Sequence, residues 1–269
     1  MCFVSARGCD SLYPLSALTI SIMSRLSDTF DANAAGYRKY RPVCPDAIRD
    51  EIIDVTGIGA GCRILEIGCG TGQATGFFEG LSPVQTCIDP GRNLLDECRA
   101  QFPSYEFICT SFEEYPGTPA SFDLIYAATS FHWIERNTRF VKTADLLKPG
   151  AHLAVLTDRH VKNMEGFFTE VQQIYRAEAP DMASPFAPGA DEAVVENPLS
   201  LVLESEIDRV LAYSAAEYTG LLRTFSGHIA LGHERLDRLC SRIHELIDVR
   251  YGGRIEKTLT TYLSIYRND

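Results

Sequence analysis

Three glycines within five positions follow an apolar run in the stretch RILEIGCGTGQAT, residues 63–75. Ordering a glycine costs more backbone entropy than ordering any other residue, so glycines this dense indicate positions where the chain needs bare backbone. A strand, a glycine loop and a helix in succession offer free N–H groups and a close approach to a ligand. The stretch therefore predicts a buried strand ending at Gly68, a ligand-binding loop through Gly70 and Gly72, and a short helix over 72–80.

Segments of strand length alternate with helical segments along the rest of the chain, and most of the strands are apolar. Strands are predicted at 84–89, 105–110, 122–128, 151–157, 201–213 and 255–266, and helices at 92–102, 136–147, 163–179 and 234–248. Two further helices near the N-terminus are separated by Pro42 and Pro45, since proline interrupts a helix. Apolar strands joined by short helices are typical of a parallel sheet covered on both faces, so we expect an α/β fold.

Charge and cysteine content exclude several function classes. The formal net charge is -11, whereas proteins that bind nucleic acid usually present a basic face. The nine cysteines include no C-x-x-C pair, which argues against a disulfide framework and against a zinc or other metal site. No apolar run approaches the ~20 residues of a membrane span. We therefore expect a cytoplasmic protein with no nucleic-acid or membrane partner.

The spacing of the glycines limits the classes of ligand that the loop can bind. A phosphate-binding P-loop needs a Lys-Ser/Thr pair after its glycines, but Gln73 and Ala74 follow Gly72. The dinucleotide fingerprint G-x-G-x-x-G needs a third glycine where this chain has Gln73. The observed pattern G-x-G-x-G matches neither class.

The segment LEIGCGTG resembles the first motif of the class I S-adenosylmethionine (SAM)-dependent methyltransferases. The resemblance implies that the glycine loop wraps the methionine part of SAM and that Glu66 helps to hold the loop and the ligand's amino group. Asp89, at the end of the next strand, would bind the ribose hydroxyls, and Ser111 and Phe112 would contact adenine. Helix capping is the alternative role for Asp89 and for Ser111. The full set of cofactor-binding residues that it implies is Tyr37, Glu66, Gly68, Cys69, Gly70, Gly72, Asp89, Pro90, Ser111, Phe112 and Ala128.

The motif FHW at 131–133, which contains the single tryptophan, follows the fourth predicted strand. It is similar to a methyltransferase subgroup that includes trans-aconitate methyltransferases, as are FDANAAGYRKYRP near the N-terminus and YTGLLRTFSGH at 218–228. The resemblance implies substrate contacts from Arg41, His132 and Trp133, with His132 as the candidate catalytic base. Surface or core packing is the alternative for each of these side chains.

The resemblance also implies a Rossmann-like, doubly wound, seven-stranded and mostly parallel sheet with an antiparallel C-terminal strand, N-terminal helices and a small helical cap. The expected organisation is a tail at 1–27, which includes an alternative start at Met23, lid helices at 28–56, a SAM-binding core at 57–160, a cap with the sixth strand at 161–235, and a final helix and strand at 236–269. Within the cap, Phe167, Tyr175 and Arg223 are candidates to contact the substrate.

The expected function is methyl transfer from SAM to a small molecule, with O-methylation of a carboxylic acid preferred, by a monomer or homodimer. Three alternatives stay open: methylation of an acyl group on a carrier protein, carbon methylation of a quinone-like ring, and a SAM-binding module without catalysis. A carboxylate acceptor would need no base, whereas a hydroxyl or amine would need one.

Overall fold

The computed structural model describes residues 30–160, 165–182 and 196–269. The predicted tail at 1–27, with Met23, lies outside the described residues. No helix within the described ranges is both long enough and apolar enough to cross a membrane.

One seven-stranded sheet forms the centre of the fold. Its strands are β1 (Arg63–Ile67), β2 (Val84–Asp89), β3 (Glu106–Cys109), β4 (Phe122–Ala128), β5 (Leu147–His160), β6 (Ser200–Ser214) and β7 (Arg254–Arg267). They are ordered β3-β2-β1-β4-β5-β7-β6 across the sheet. Strands β1 to β5 pair in parallel, and β7 runs antiparallel to both β5 and β6. The predicted Rossmann-like sheet with an antiparallel C-terminal strand is confirmed.

Helices lie before, between and after these strands. They are α1 (Ala34–Tyr40), α2 (Asp46–Thr56), α3 (Arg92–Gln101), α4 (Arg136–Leu146), α5 (Phe167–Glu178), α6 (Ala215–Leu222), α7 (Ser226–Ile229) and α8 (His233–Arg250). Short 3₁₀ turns occur at Glu79–Leu81 and Phe131–Trp133. The break between α1 and α2 contains Pro42 and Pro45, as predicted.

The sheet is buried on both faces, which explains why its strands are apolar without alternation. On β1, Leu65 packs into one core cluster and Ile64 into the cluster on the opposite face. On β4, Ile125 and Leu124 divide in the same way. A third cluster joins α5, α6 and α8 beside the start of β7.

The helix predicted over 72–80 is wrong. After β1 the backbone forms successive turns, in which Gly72 N–H donates to Cys69 O, Phe77 to Ala74 and Glu79 to Gly76 at 3.0–3.2 Å. Glycine disfavours the helical state, and Gly72 has φ +97°, outside the α region. The loop therefore lacks the α-helix N-terminus on which the initial ligand argument relied.

Candidate functional site

A cavity of about 120 Å³ opens at the carboxyl ends of β1, β4 and β5. In open α/β sheets this edge is where ligands bind. The lining residues come from the glycine loop, the strand ends, the N-terminal helices and the segment around α6: Tyr37, Arg41, Pro42, Cys44, Glu66, Gly68, Cys69, Gly70, Gln73, Ala74, Ala128, Thr129, Asp158, Leu221, Phe225 and Leu259. The structure thus brings together Arg41 and six of the residues predicted to contact the cofactor.

The three glycines of the loop are required for different reasons. A Cβ on Gly68 would lie 2.4 Å from the Cβ of Ser130, and one on Gly72 would lie 2.9 Å from Cε2 of Phe102. A Cβ on Gly70, where φ is +55°, would meet nothing closer than 3.8 Å. Packing against the protein's own side chains therefore explains Gly68 and Gly72. Gly70 has no such packing contact: its positive φ favours glycine, and the open space beside it leaves room for a ligand.

Glu66 holds the glycine loop through a hydrogen bond with Thr75. It is 1 % exposed, and its Oε2 accepts hydrogen bonds from Thr75 Oγ1 at 2.7 Å and Gln85 Nε2 at 3.4 Å. Burial raises the pKa of Glu66 to about 7. Tyr126 is a further hydrogen-bond partner of this carboxylate. Glu66 also lines the cavity, so its carboxyl group borders the space open to a ligand.

Asp89 holds the glycine loop through a hydrogen bond from the Gly70 backbone. Its Oδ2 accepts from the Gly70 N–H at 2.9 Å and its Oδ1 from the Gly91 N–H at 2.8 Å. Burial raises the pKa of Asp89 to about 6, although these two hydrogen bonds act in the opposite direction. The carboxylate does not line the cavity, and both of its oxygens are engaged by backbone.

Besides Asp89, four residues predicted to contact the cofactor lie outside the cavity lining: Gly72, Pro90, Ser111 and Phe112. Pro90 is exposed, and Phe112 is 3 % exposed in the core. Ser111 Oγ accepts from the Glu114 N–H at 3.2 Å, which is the capping arrangement considered as its alternative role.

The N-terminal helix α1 covers the cavity with Tyr37, and Arg41 follows it. The Arg41 guanidinium lies 4.8 Å from the Tyr37 ring centroid and 4.3 Å from that of Phe225. Arg41 Nε and Nη2 each donate to Thr224, to its Oγ1 and its carbonyl, at 2.9 Å. The motif at 218–228 thus positions Arg41, and it is the only signal in the sequence for Thr224.

His132 and Trp133 lie beside this region without lining the cavity. The Trp133 ring packs edge-on to Phe30 at 5.9 Å, and Phe30 packs edge-on to Tyr37 at 6.0 Å. Burial, together with the charge of Arg139, lowers the pKa of His132 to about 4. His132 is therefore neutral at pH 7 but a weak base.

The three cap residues predicted to contact the substrate lie outside the cavity lining and contact other side chains of the protein. Phe167 packs edge-on against Tyr218 at 5.4 Å, and Tyr175 Oη lies 2.7 Å from His228 Nε2. Arg223 pairs with Asp237 at 2.6 Å. The cavity instead contains Asp158, which no motif indicated and which accepts from Thr261 Oγ1 at 2.6 Å.

Residues 65–155 match the family model described as a methyltransferase domain. The matched segment contains the glycine loop, Glu66, Asp89, the whole of β4 and the first part of β5. This part of the chain is therefore similar to methyltransferase domains.

Relatives and solved structures agree with this match. An uncharacterised methyltransferase-like protein of Schizosaccharomyces pombe is 29% identical over 160 residues, covering 58% of this chain and 62% of the relative. The O-methyltransferase resE of Aspergillus sclerotiorum is 32% identical over 130 residues, covering 43% and 48%. A type II methyltransferase structure from Anaeromyxobacter dehalogenans superimposes with a TM-score of 0.59 at 20% identity, covering 85% of this chain and 97% of that one, which shows the shared methyltransferase fold.

The chain spans about three fifths of the length of the first curated relatives that it matches, 62% and 59%. These matches support the methyltransferase domain and its fold. The acceptor has to be argued from the site.

Proposed function

We propose that this protein transfers the methyl group of SAM to a carboxylate oxygen of a small-molecule acceptor. The observation that carries the proposal is the open side of Gly70, next to Glu66, in a cavity at the carboxyl edge of the sheet. The relative from Aspergillus sclerotiorum, named an O-methyltransferase, supports oxygen as the receiving atom.

The residues present suit SAM. Glu66, which lines the cavity, would accept from the ammonium group of its methionine part, and the Gly70 backbone allows close approach. Asp89 would accept the ribose hydroxyls as charge-assisted hydrogen bonds, adding them to its bonds from Gly70 and Gly91. Pro90, Ser111 and Phe112 follow β2 and β3 and would border the adenine. SAM supplies a sulfonium methyl group that is already reactive towards an oxygen nucleophile.

Entry of SAM requires the N-terminal segment to move. The cavity of about 120 Å³ is smaller than the ~300–1,000 Å³ of typical ligand pockets. Cε1 of Tyr37 lies 3.9 Å from the position a Cβ on Gly70 would occupy, so Tyr37 is the side chain that covers the loop. We infer that α1 acts as the lid, opening for the cofactor and excluding water when closed.

The protein's remaining task is to align an acceptor. Arg41 is a partly buried cation whose charge would attract a carboxylate, while Thr224 holds its orientation. A carboxylate is ionised at neutral pH and needs no base, which suits a site where the nearby His132 is a weak base. Holding donor and acceptor in line is worth up to ~7–11 kcal/mol of the barrier.

The test is calorimetric titration of SAM into the full chain and two glycine variants. Gly70→Val fills the open side of the loop and is expected to weaken SAM binding at least tenfold. Gly57→Val is the matched control, because Gly57 has φ +64° with nothing within 4 Å and lies outside the cavity lining. Equal SAM affinity in all three proteins would remove Gly70 from the cofactor site.

Turnover then separates an enzyme from a SAM-binding module. Incubation with SAM and a panel of small carboxylic acids is expected to yield methyl esters and S-adenosylhomocysteine. Tight SAM binding with no product from acids, alcohols or amines would contradict catalysis and favour the module.

A further inference from the structure

The cavity is lined by two opposite charges that do not pair with each other. Arg41, after α1, and Asp158, near the end of β5, both border it, and no ion pair joins them among the described residues. Arg41 donates to Thr224 instead. Opposite charges attract most strongly in contact, and more strongly in a partly buried site than in water. Charges held apart in one cavity therefore leave room for a ligand that bonds to both.

Asp158 has few partners for a carboxylate whose side chain is only 20 % exposed. Its Oδ1 accepts from Thr261 Oγ1 at 2.6 Å and lies 3.8 Å from Arg209 Nη2, which is too far for a hydrogen bond. Arg209 donates to the Val43 carbonyl at 2.7 Å and to Thr261 Oγ1 at 3.3 Å. No hydrogen bond to Asp158 Oδ2 occurs within the part of the chain that the structure describes. An ionised carboxylate has about four acceptor positions, so Asp158 has capacity left for a ligand.

The backbone beside Asp158 adopts a conformation that is rare for its residue type. Thr129, which follows β4 and lines the cavity, has φ +56°, in the left-handed region that β-branched residues seldom occupy. Its N–H donates to Leu156 O at 2.8 Å, and its Oγ1 accepts from the Asp158 N–H at 3.4 Å. Strain of this kind persists where the surrounding structure enforces it, and it is common at ligand-binding sites. The strained turn thus holds the end of β5, with Asp158, at the cavity.

Asp158 lies apart from the residues proposed to bind the methionine part of SAM. Glu66 and the glycine loop belong to β1 and the turns after it, and β4 separates β1 from β5 in the sheet. Since neighbouring strands lie ~4.8 Å apart, β1 and β5 are separated by about 10 Å. Leu259 of β7 and Phe225, after α6, line the cavity together with Asp158. These residues therefore border the space that is left for an acceptor.

We propose that Asp158 selects acceptors that carry a hydrogen-bond donor, a hydroxyl or an ammonium group, in addition to the carboxylate attracted by Arg41. The substrate class is then a small hydroxy acid or amino acid. Asp158 accepts from the donor group and determines specificity without taking part in the transfer of the methyl group. A site built to bond such a group strongly rejects analogues that lack it. The inference rests on the proposed function for the identity of the methylated group.

The test compares butyrate with its hydroxy and amino derivatives, substituted at the α, β or γ carbon, by calorimetric titration into the full chain with S-adenosylhomocysteine present. At least one derivative is expected to bind at least tenfold more tightly than butyrate. Asp158→Ala is expected to remove this preference and to leave the affinity for butyrate within twofold. Asp158→Asn separates the two donors, because an amide oxygen still accepts from a hydroxyl but lacks the charge that favours an ammonium group.

Asp208→Ala is the matched control. Asp208 is an exposed carboxylate of β6 that accepts from Thr260, the neighbour of Thr261 on β7, and it lies outside the cavity lining. This variant is expected to leave every affinity within twofold. An effect confined to the Asp158 variants is then not a general result of losing a bond between a carboxylate and a threonine of β7.

Equal affinities of the unmodified chain for butyrate and all its derivatives, or a preference that survives in Asp158→Ala, would overturn the inference. The first of these outcomes needs no variant to fold. Formation of methyl butyrate as readily as the derivatives' esters would overturn the inference and leave the proposed function standing. An Asp158-dependent preference with no methyl ester from any acid would overturn the proposed function alone, and no binding of any acid at millimolar concentration would overturn both.

Discussion

Individual residues in this chain show why a motif does not define a role at each of its positions. The glycine triplet predicted a ligand loop, and the loop does border the cavity. Yet Gly72 is explained by Cys98, in the helix that starts 20 positions later at Arg92, and by Phe102, which follows the last residue of that helix. Such steric contacts between distant segments leave no mark in the local pattern, so sequence alone could not separate Gly70 from Gly72.

Substitution by alanine is expected to separate the two glycines by stability. Gly72→Ala places a Cβ 2.9 Å from Phe102 at φ +97° and is expected to lower the free energy of unfolding by about 2–4 kcal/mol. Gly70→Ala meets no clash and is expected to cost only the left-handed strain of about 1–2 kcal/mol. Urea unfolding followed by circular dichroism checks the order, and a larger loss for Gly70→Ala would contradict it.

Glu66 is expected to make stability depend on pH. Its pKa rises from 4.5 to about 7 on folding, so the folded chain holds this proton more tightly than the unfolded chain. Its favourable contribution is therefore full below about pH 4.5 and is lost as the pH rises through about 7.

Glu66→Gln removes this titration. Relative to the variant, the unmodified protein is expected to lose on the order of 3 kcal/mol of unfolding free energy between about pH 4.5 and 7. Urea unfolding across this range measures the difference, with the exposed Glu79→Gln as control. A difference that does not change with pH would show that Glu66 titrates normally.

At the scale of elements, the N-terminal segment is attached to the core through α3. This helix lies about 60 residues further along the chain. Asp31 Oδ1 accepts from the N–H groups of Asn93 and Leu94 at 2.7 and 3.1 Å, in the first turn of α3. The sequence predicted α3 and the N-terminal helices correctly. It could not predict this cap, because the capping residue stands 62 positions before its partner.

Asp31→Ala is expected to destabilise the protein by about 1 kcal/mol, the usual cost of losing a helix cap. Because the same carboxylate anchors the segment that carries Tyr37, hydrogen exchange over residues 34–40 is expected to accelerate more than exchange over α8. Asp96→Ala serves as a control, since Asp96 lies on α3 and pairs only with Arg99 within that helix. Uniform acceleration along the chain would show that Asp31 has no local role.

For the whole molecule, the sheet could be predicted because three signals agree: the pattern of apolar residues, the lengths of the segments, and the glycines and prolines that separate them. Strands β2 and β4 have the bounds read from the sequence, and β7 has the expected direction. The site was less predictable, because its contents depend on which segments meet. Asp158 and Arg41 line one cavity, and Thr224 orients Arg41, although the three residues come from distant segments of the chain.

The row of rings from Trp133 through Phe30 to Tyr37 has a practical consequence. The chain contains a single tryptophan, and its indole contacts Phe30, next to the helix proposed as the lid. Tryptophan fluorescence therefore reports on the surroundings of Trp133, including its contact with this segment. Stopped-flow mixing could follow the opening and closing of the protein in real time, with no label attached.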